Sequence, residues 1–288
     1  MTTVLYTANY GNYDLLQALP DGLEGVCWTD DPDMRAKGWE MRYVPLPELP
    51  PIMAAKRFKL MPHAVLPDAD RTVWVDAAFK IKTADFVEEA LSFAQPSGLG
   101  VFVHDMFSGI EEERQASRQM RKYDGYDLEG QCAAYRVEGL DANWGLWFFG
   151  VLARVRSAFL DSIFDAWWHE CCRWGPQDQL SGTAVFHRYN FRPSEFPYQM
   201  PGPWLERNQH VSALPGVMSY QADGLAAAAK VCNAPPNTAV LVALRYIAAA
   251  TGVEGERLGE YVLGLRPVLD ILRRGASADA IVSVFRQC

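Results

Sequence analysis

The residues of this chain with the types and spacing to do chemistry are Asp76, a basic stripe ahead of it, and the acidic positions Asp30 and Asp178. Asp76 ends the short apolar run Val73-Trp74-Val75, which follows the turn signal Pro67-Asp68-Ala69-Asp70. A run this short, rich in β-branched and aromatic residues, reads as a buried strand. In an open α/β sheet the ligand crevice lies beyond the carboxyl ends of the strands, so Asp76 would point into it. The plainer reading is a carboxylate that caps the next turn. Lys56, Arg57, Lys59 and His63 fall on a helix predicted over 53–66, with Lys56 and Lys59 on one face. Such a stripe is either a solvated surface or the counter-charge for a diphosphate. Asp30 follows a predicted strand and could accept hydrogen bonds from a base or ribose. Asp178, at the start of a new element, could cap a helix or serve as an acidic group.

These residues need a scaffold, and the composition allows one. The 288 residues are 49% apolar and 22% charged, ordinary values for a globular protein able to bury a large core. Aromatics reach 12%, with nine Trp and twelve Tyr, which serve either as core or as stacking surfaces for sugars and bases. The net charge of −8 opposes non-specific binding to a polyanion unless a local basic patch supplies it. No leader pattern and no span of about 18 apolar residues is evident, so a soluble cytoplasmic protein without membrane contact is expected. The six cysteines lack CxxC spacing, and free thiols are expected.

Strands are predicted over 4–8, 25–29, 39–44 (an edge strand), 73–75, 99–103 and 146–153, and helices over 85–94, 111–123 and 158–173, with a new element from 177. The first two strands end in Thr- and Asp-rich loops, as in the opening of a parallel nucleotide-binding sheet. Neither GxGxxG nor GxxxxGK[ST] is present, which excludes a dinucleotide fingerprint and a P-loop. Residues 192–215 read as loop. From 223 the composition shifts to Ala, Leu, Val and Arg, with helices predicted over 237–251, 254–263 and 277–287. Two domains are expected, 1–222 and a helical appendage over 223–288 that holds no catalytic constellation.

Taken in order, the landmarks Tyr6-Thr7-Ala8-Asn9-Tyr10-Gly11-Asn12-Tyr13-Asp14, Cys27-Trp28-Thr29-Asp30, Arg57-Phe58-Lys59-Leu60-Met61-Pro62-His63, Trp74-Val75-Asp76, Trp167-Trp168-His169-Glu170 and Gln177-Asp178-Gln179-Leu180-Ser181 resemble a family. It is the glycosyltransferase-like group that includes plant mucilage-related transferases, long described as a domain of unknown function. The match spans roughly residues 3–190. The resemblance implies a GT-A-like mixed sheet flanked by helices and a nucleotide-sugar donor, a UDP-sugar above all. It implies that Thr7, Ala8, Tyr10 and Asp30 hold the nucleotide, with Trp74 beside Asp76, the DxD-like position. It also likens Asp178-Gln179 to the acceptor-side acidic segment. Ala78 stands where the second acidic residue of a DxD belongs. Mn²⁺ or Mg²⁺ could still bind through Asp76, the diphosphate and a later His such as His210 or His187. Alternatively, Lys56, Arg57 and Lys59 could neutralise the phosphates without metal.

Under this reading Asp178 is a general base or a carboxylate facing the anomeric carbon, with His104, Asp105 and His169 in reserve. The acceptor is a glycan hydroxyl or a hydroxymethylated pyrimidine of phage DNA. In the latter case Lys230, Arg245, Arg273 and Arg274 would supply the basic patch. Two rivals stand against a transferase: a non-catalytic nucleotide-sugar or glycan-binding module, and a hydrolase with paired carboxylates.

Overall fold

The computed structural model describes residues 1–11, 13–142, 144–207, 232–233, 244, 247, 255–274, 281 and 284–285. By its contacts the chain divides into two compact units, residues 1–11 with 16–208, and residues 12–15 with 209–288.

In the first unit, β1 (Thr3–Asn9), β2 (Gly25–Thr29), β3 (Trp39–Tyr43), β4 (Arg71–Val75), β6 (Leu99–Val103), β7 (Trp147–Val155) and β8 (Ser194–Glu195) form one sheet of order β3-β2-β1-β4-β7-β6-β8 among the described residues. β5 (Phe79–Ile81) pairs antiparallel with β9 (Leu205–Arg207). The β3-β2-β1-β4 half is parallel, as the spacing of the first two strands predicts. β7 then runs antiparallel to both β4 and β6, so the sheet is mixed. β3 lies at the edge, as expected.

Both faces of the sheet are covered, which is why β2 and β4 read as nearly continuous apolar runs. One face packs Tyr6, Trp28, Trp74 and Phe149 against α1 (Pro51–Leu60), α6 (Ala158–Trp174) and α7 (Asp178–Arg188). The other packs Leu5, Val73, Val75 and Val151 against α3 (Phe86–Ser92) and Trp204. Phe58 of α1 stacks on Trp28 with centroids 4.8 Å apart and on Tyr10 at 5.7 Å. Each such pair adds about 0.5–1.5 kcal/mol beyond area burial and fixes α1 over the sheet.

The helix predicted over 53–66 starts earlier, at Pro51, and breaks at Met61. Pro62 has no N–H to continue the ladder, and its ring disfavours helical backbone at the residue before it, so α2 (Pro62–Val65) starts afresh. The charged helix predicted over 111–123 ends at Ser117 as α4 (Ile110–Ser117). α5 (Leu128–Val137), missed in the sequence, is capped by Asp127, whose carboxylate accepts the Gly130 N–H at 2.8 Å. β8 and β9 lie within the stretch expected to be loop.

The second unit holds α8 (Gly255–Leu263) and α9 (Arg266–Arg273), packed through Leu258, Val262, Val268, Leu269 and Leu272. α8 corresponds to the helix predicted over 254–263; those predicted over 237–251 and 277–287 fall largely outside the described residues. Among the described residues no helix is long and apolar enough to cross a membrane. Cys27, Cys132, Cys171, Cys172 and Cys232 are free thiols.

Candidate active site

β4 delivers Asp76 to the carboxyl edge of the sheet. The Asp76 N–H donates to the Gly150 carbonyl at 2.8 Å, carrying the β4–β7 pairing one residue past the strand. Side chains two apart on a strand share a face, and the Trp74 indole N–H accordingly donates to Asp76 Oδ1 at 2.7 Å. The Asp76 side chain remains 35% exposed.

α1 brings two ammonium groups to the same place. Lys59 Nζ lies 3.3 Å from Asp76 Oδ1 and 2.7 Å from Asp178 Oδ2, and Lys56 Nζ lies 2.6 Å from that same Oδ2. The Lys59 side chain is 2% exposed and rides 5.8 Å over the Trp74 ring. The Tyr6 hydroxyl donates to the Lys59 carbonyl at 3.1 Å, pinning the backbone from which it extends. Two carboxylates and two ammonium groups thus alternate from Asp76 into the interior, balanced in charge.

Their ionisation follows from that arrangement. Burial pushes the Asp178 carboxyl up, but Lys56 and Lys59 outweigh it and hold the group far below the usual carboxylate range. Burial would lower Lys59, yet Asp178 and Asp76 together raise it above an ordinary lysine. Lys56 is lowered, because burial outweighs the attraction of Asp178 and the Lys59 charge adds to the effect.

α7 sets Asp178 at its first turn. The helix cap is Gln177 rather than Asp178: its side-chain oxygen accepts the Gln179 N–H at 3.2 Å. The Trp167 indole N–H donates to the Asp178 carbonyl at 3.1 Å. Gly182 lets α7 seat against α6 and β7, since a Cβ there would come within 2.5 Å of Trp167 and 2.7 Å of Phe149.

The other expected site residues are placed differently. Thr7 is fully buried, on the sheet face of Leu5 opposite Asp76. Ala8 and Tyr10 are core positions, and the Tyr10 hydroxyl donates to the Val44 carbonyl at 2.7 Å. Both Asp30 oxygens accept the Gly11 N–H, at 2.9 and 3.1 Å, closing the loop after β1. Arg57 is exposed and lines an open groove of about 330 Å³ with Glu48, Met61 and Trp168. Gln179 sits beside Asp178, its amide nitrogen buried without a hydrogen-bond partner. His63 pairs with Asp165 at 2.8 Å, and His187 packs edge-on against Trp144. His210 lies outside the described residues, as do Lys230 and Arg245.

Among the described residues no group of three His, Cys, Asp or Glu could hold a metal ion. A divalent cation fits here only through Asp76 together with donor phosphates and waters, a coordination open to hard cations. Oδ1 takes both the Trp74 and Lys59 contacts.

Behind Asp178 lie two residues to which the sequence assigned no role, Glu113 and Gln177. Gln177 Nε2 donates to Glu113 Oε1 at 2.6 Å and also contacts Ser117, and Glu113 Oε2 lies 3.3 Å from His104 Nε2. A Gln directly before a helix start was the available signal; for Glu113, one acid in a run of acids, there was none.

Residues 45–201 match the family model described as TOD1/MUCI70, glycosyltransferase-like domain. That span holds Lys56, Lys59, Asp76 and Asp178, and leaves out Thr7, Ala8, Tyr10 and Asp30. Among solved structures, mouse xyloside xylosyltransferase 1 in its apo form is similar at 13% identity and a TM-score of 0.39, over 66% of this chain and 83% of that one. No curated protein matches the chain.

Proposed function

The chain belongs to the TOD1/MUCI70 glycosyltransferase-like family, and on that premise we propose that it transfers a hexosyl or N-acetylhexosaminyl group from a UDP-sugar to a hydroxyl of a glycan. The observation that carries this reading is the alternating cluster Asp76–Lys59–Asp178–Lys56 at the carboxyl edge of the sheet, with Asp76 one-third exposed.

The reaction breaks the bond between the anomeric carbon and the β-phosphate oxygen, and UDP leaves with the electron pair. A bond forms from the acceptor oxygen to the anomeric carbon, and the hydroxyl proton passes to the departing diphosphate or to solvent. Charge develops on the leaving diphosphate and, in the opposite sense, on the sugar ring. In this reading Lys56 neutralises the first, Lys59 adds its charge from beneath the surface at 2% exposure, and Arg57 lies further out on the same helix. Mn²⁺ or Mg²⁺, held by Asp76, would supply the same stabilisation as a Lewis acid.

Of the two roles open to Asp178, its depressed pKa counts against the general base and favours a fixed negative charge, set behind Asp76 with its side chain 6% exposed. A base works best when its pKa lies near the working pH, and Asp178 lies far below it. The nucleotide would contact the loop after β1, the backbone around Tyr10 and Gly11 that Asp30 holds closed, rather than the buried Thr7 and Ala8 side chains.

The net charge of −8 favours a glycan over modified DNA as acceptor. A donor screen tests the proposal: UDP- and GDP-sugars, each with and without Mn²⁺, scored by free nucleotide. Release from a UDP-sugar that grows with added glycan is the expected result. Binding of UDP without release under any condition would leave only a nucleotide-sugar-binding module.

A further inference from the structure

We infer that Gln177 and Glu113 are positioning residues for Asp178, an inference that rests on the role given to Asp178 above. The observation is a buried relay behind the site. The His104 side chain is 5% exposed, and its ring stacks on Phe107 with centroids 5.0 Å apart. Its Nδ1 accepts the N–H groups of Met106 at 3.2 Å and Phe107 at 3.0 Å. That assigns the ring proton to Nε2, which faces Glu113 Oε2 at 3.3 Å.

Glu113 is itself 5% exposed on its side chain. Its Oε1 accepts from Gln177 Nε2 at 2.6 Å and from the Ser117 hydroxyl at 3.0 Å. The amide of Gln177 therefore has a fixed polarity: the nitrogen points to Glu113 and the oxygen caps α7 on the Gln179 N–H. The next residue is Asp178, on which both lysines converge.

A buried carboxylate is costly unless its lone pairs are filled, so the relay is held by its own desolvation penalty. Flipping or withdrawing the Gln177 amide would orphan Glu113 and uncap α7 together. The first turn of α7 is thus tied from behind to α4 and to His104, just past the end of β6, while its carboxylate is gripped from the front by α1. Positioning to within a fraction of an ångström is what separates an effective charge at a reacting centre from an idle one.

The test is a polarity swap in the full chain. Gln177→Glu keeps an oxygen for the α7 cap but sets a carboxylate against Glu113. We expect it to lower kcat at least 10-fold, with donor KM changed less than 3-fold, in protein whose circular dichroism matches the parent at the assay temperature. Adding Glu113→Gln reverses donor and acceptor, and should recover most of the lost kcat. A crystal structure of Gln177→Glu should show Asp178 Oδ2 beyond ion-pair distance of at least one of Lys56 and Lys59.

Parent-like kcat in folded Gln177→Glu would overturn the inference, as would a double variant that regains thermal stability without regaining kcat. If the parent turns over no donor, the transfer reading fails alone. The crystal structure then decides the positioning claim, which an undisturbed Asp178 between both lysines would refute.

Discussion

At the scale of single residues, Asp76 and Asp178 differ in what surrounds them, and so in what their loss should do. Asp76 is one-third exposed at a strand end, Lys59 keeps Asp178 at 2.7 Å when it is lost, and truncating so exposed a side chain opens the Trp74 indole N–H to water. Asp76→Ala should therefore keep the fold while lowering turnover by roughly 10²–10³-fold, the scale for losing one group aimed at developing charge. Free-nucleotide release together with a thermal melt checks both halves, and unchanged turnover would remove Asp76 from the chemistry.

Asp178 is different because the buried Lys59 ammonium and the half-buried Lys56 ammonium depend on it. Asp178→Asn should cost about 3–5 kcal/mol, the usual penalty for breaking a buried ion pair on one side. The folded pKa of Asp178 lies below its unfolded value of about 4, so the native state binds fewer protons than the unfolded chain. Its stabilisation is complete above the unfolded pKa and is lost only as pH falls through the folded value. Urea denaturation of parent and Asp178→Asn should differ fully at pH 7 and converge in strong acid. A gap that does not depend on pH would show that the charge is not what stabilises.

At the scale of elements, α7 is the piece whose seating decides whether the cluster exists. Gly182 faces Trp167 and Phe149 with no room for a methyl group. Gly182→Ala gains helix propensity of about 1 kcal/mol, but the clash costs about 1–3 kcal/mol and pushes the helix off α6 and β7. We expect a net loss of stability, and a fall in turnover larger than the unfolded fraction explains. Denaturant midpoints and turnover on the same sample separate the two; a stabilised variant of full activity would show that α7 tolerates displacement. α1 contributes in a complementary way, since the Trp28–Phe58–Tyr10 stack fixes the helix whose other face carries Lys56 and Lys59.

At the scale of the whole molecule, the net charge of −8 separates the two acceptor classes. A protein that neutralises several phosphates of a nucleic acid loses affinity steeply between about 50 and 200 mM salt, by a factor near 10³ or more. Transfer to a neutral glycan should change only a few-fold over that range. Turnover measured on each acceptor class across a salt series distinguishes them, and a steep fall would favour the DNA reading. UDP should also raise the melting temperature, with a stabilisation of about 2.7 kcal/mol at 100 times its Kd. The absence of a shift at millimolar UDP would count against a uridine donor.

What was legible in the sequence is what near neighbours along the chain determine. Strands β1, β2, β4 and β6, the long helix α6 and the emergence of Asp76 from a buried strand all follow from local patterns of apolar residues and turn formers. The chemistry-bearing types, Lys56, Lys59, Asp76 and Asp178, were visible as well. Their joining was not, because the Lys–Asp178 contacts bridge residues more than a hundred positions apart, and only the packing of α1 and α7 on one sheet face brings them together. The same holds in reverse for Tyr10 and Asp30, which the family resemblance implied as nucleotide contacts but whose polar atoms the tertiary structure engages with Val44 and Gly11. Sequence determines which groups are available and where strands end; desolvation and long-range packing decide which carboxylate stays exposed, which is neutralised by a lysine, and which merely closes a loop.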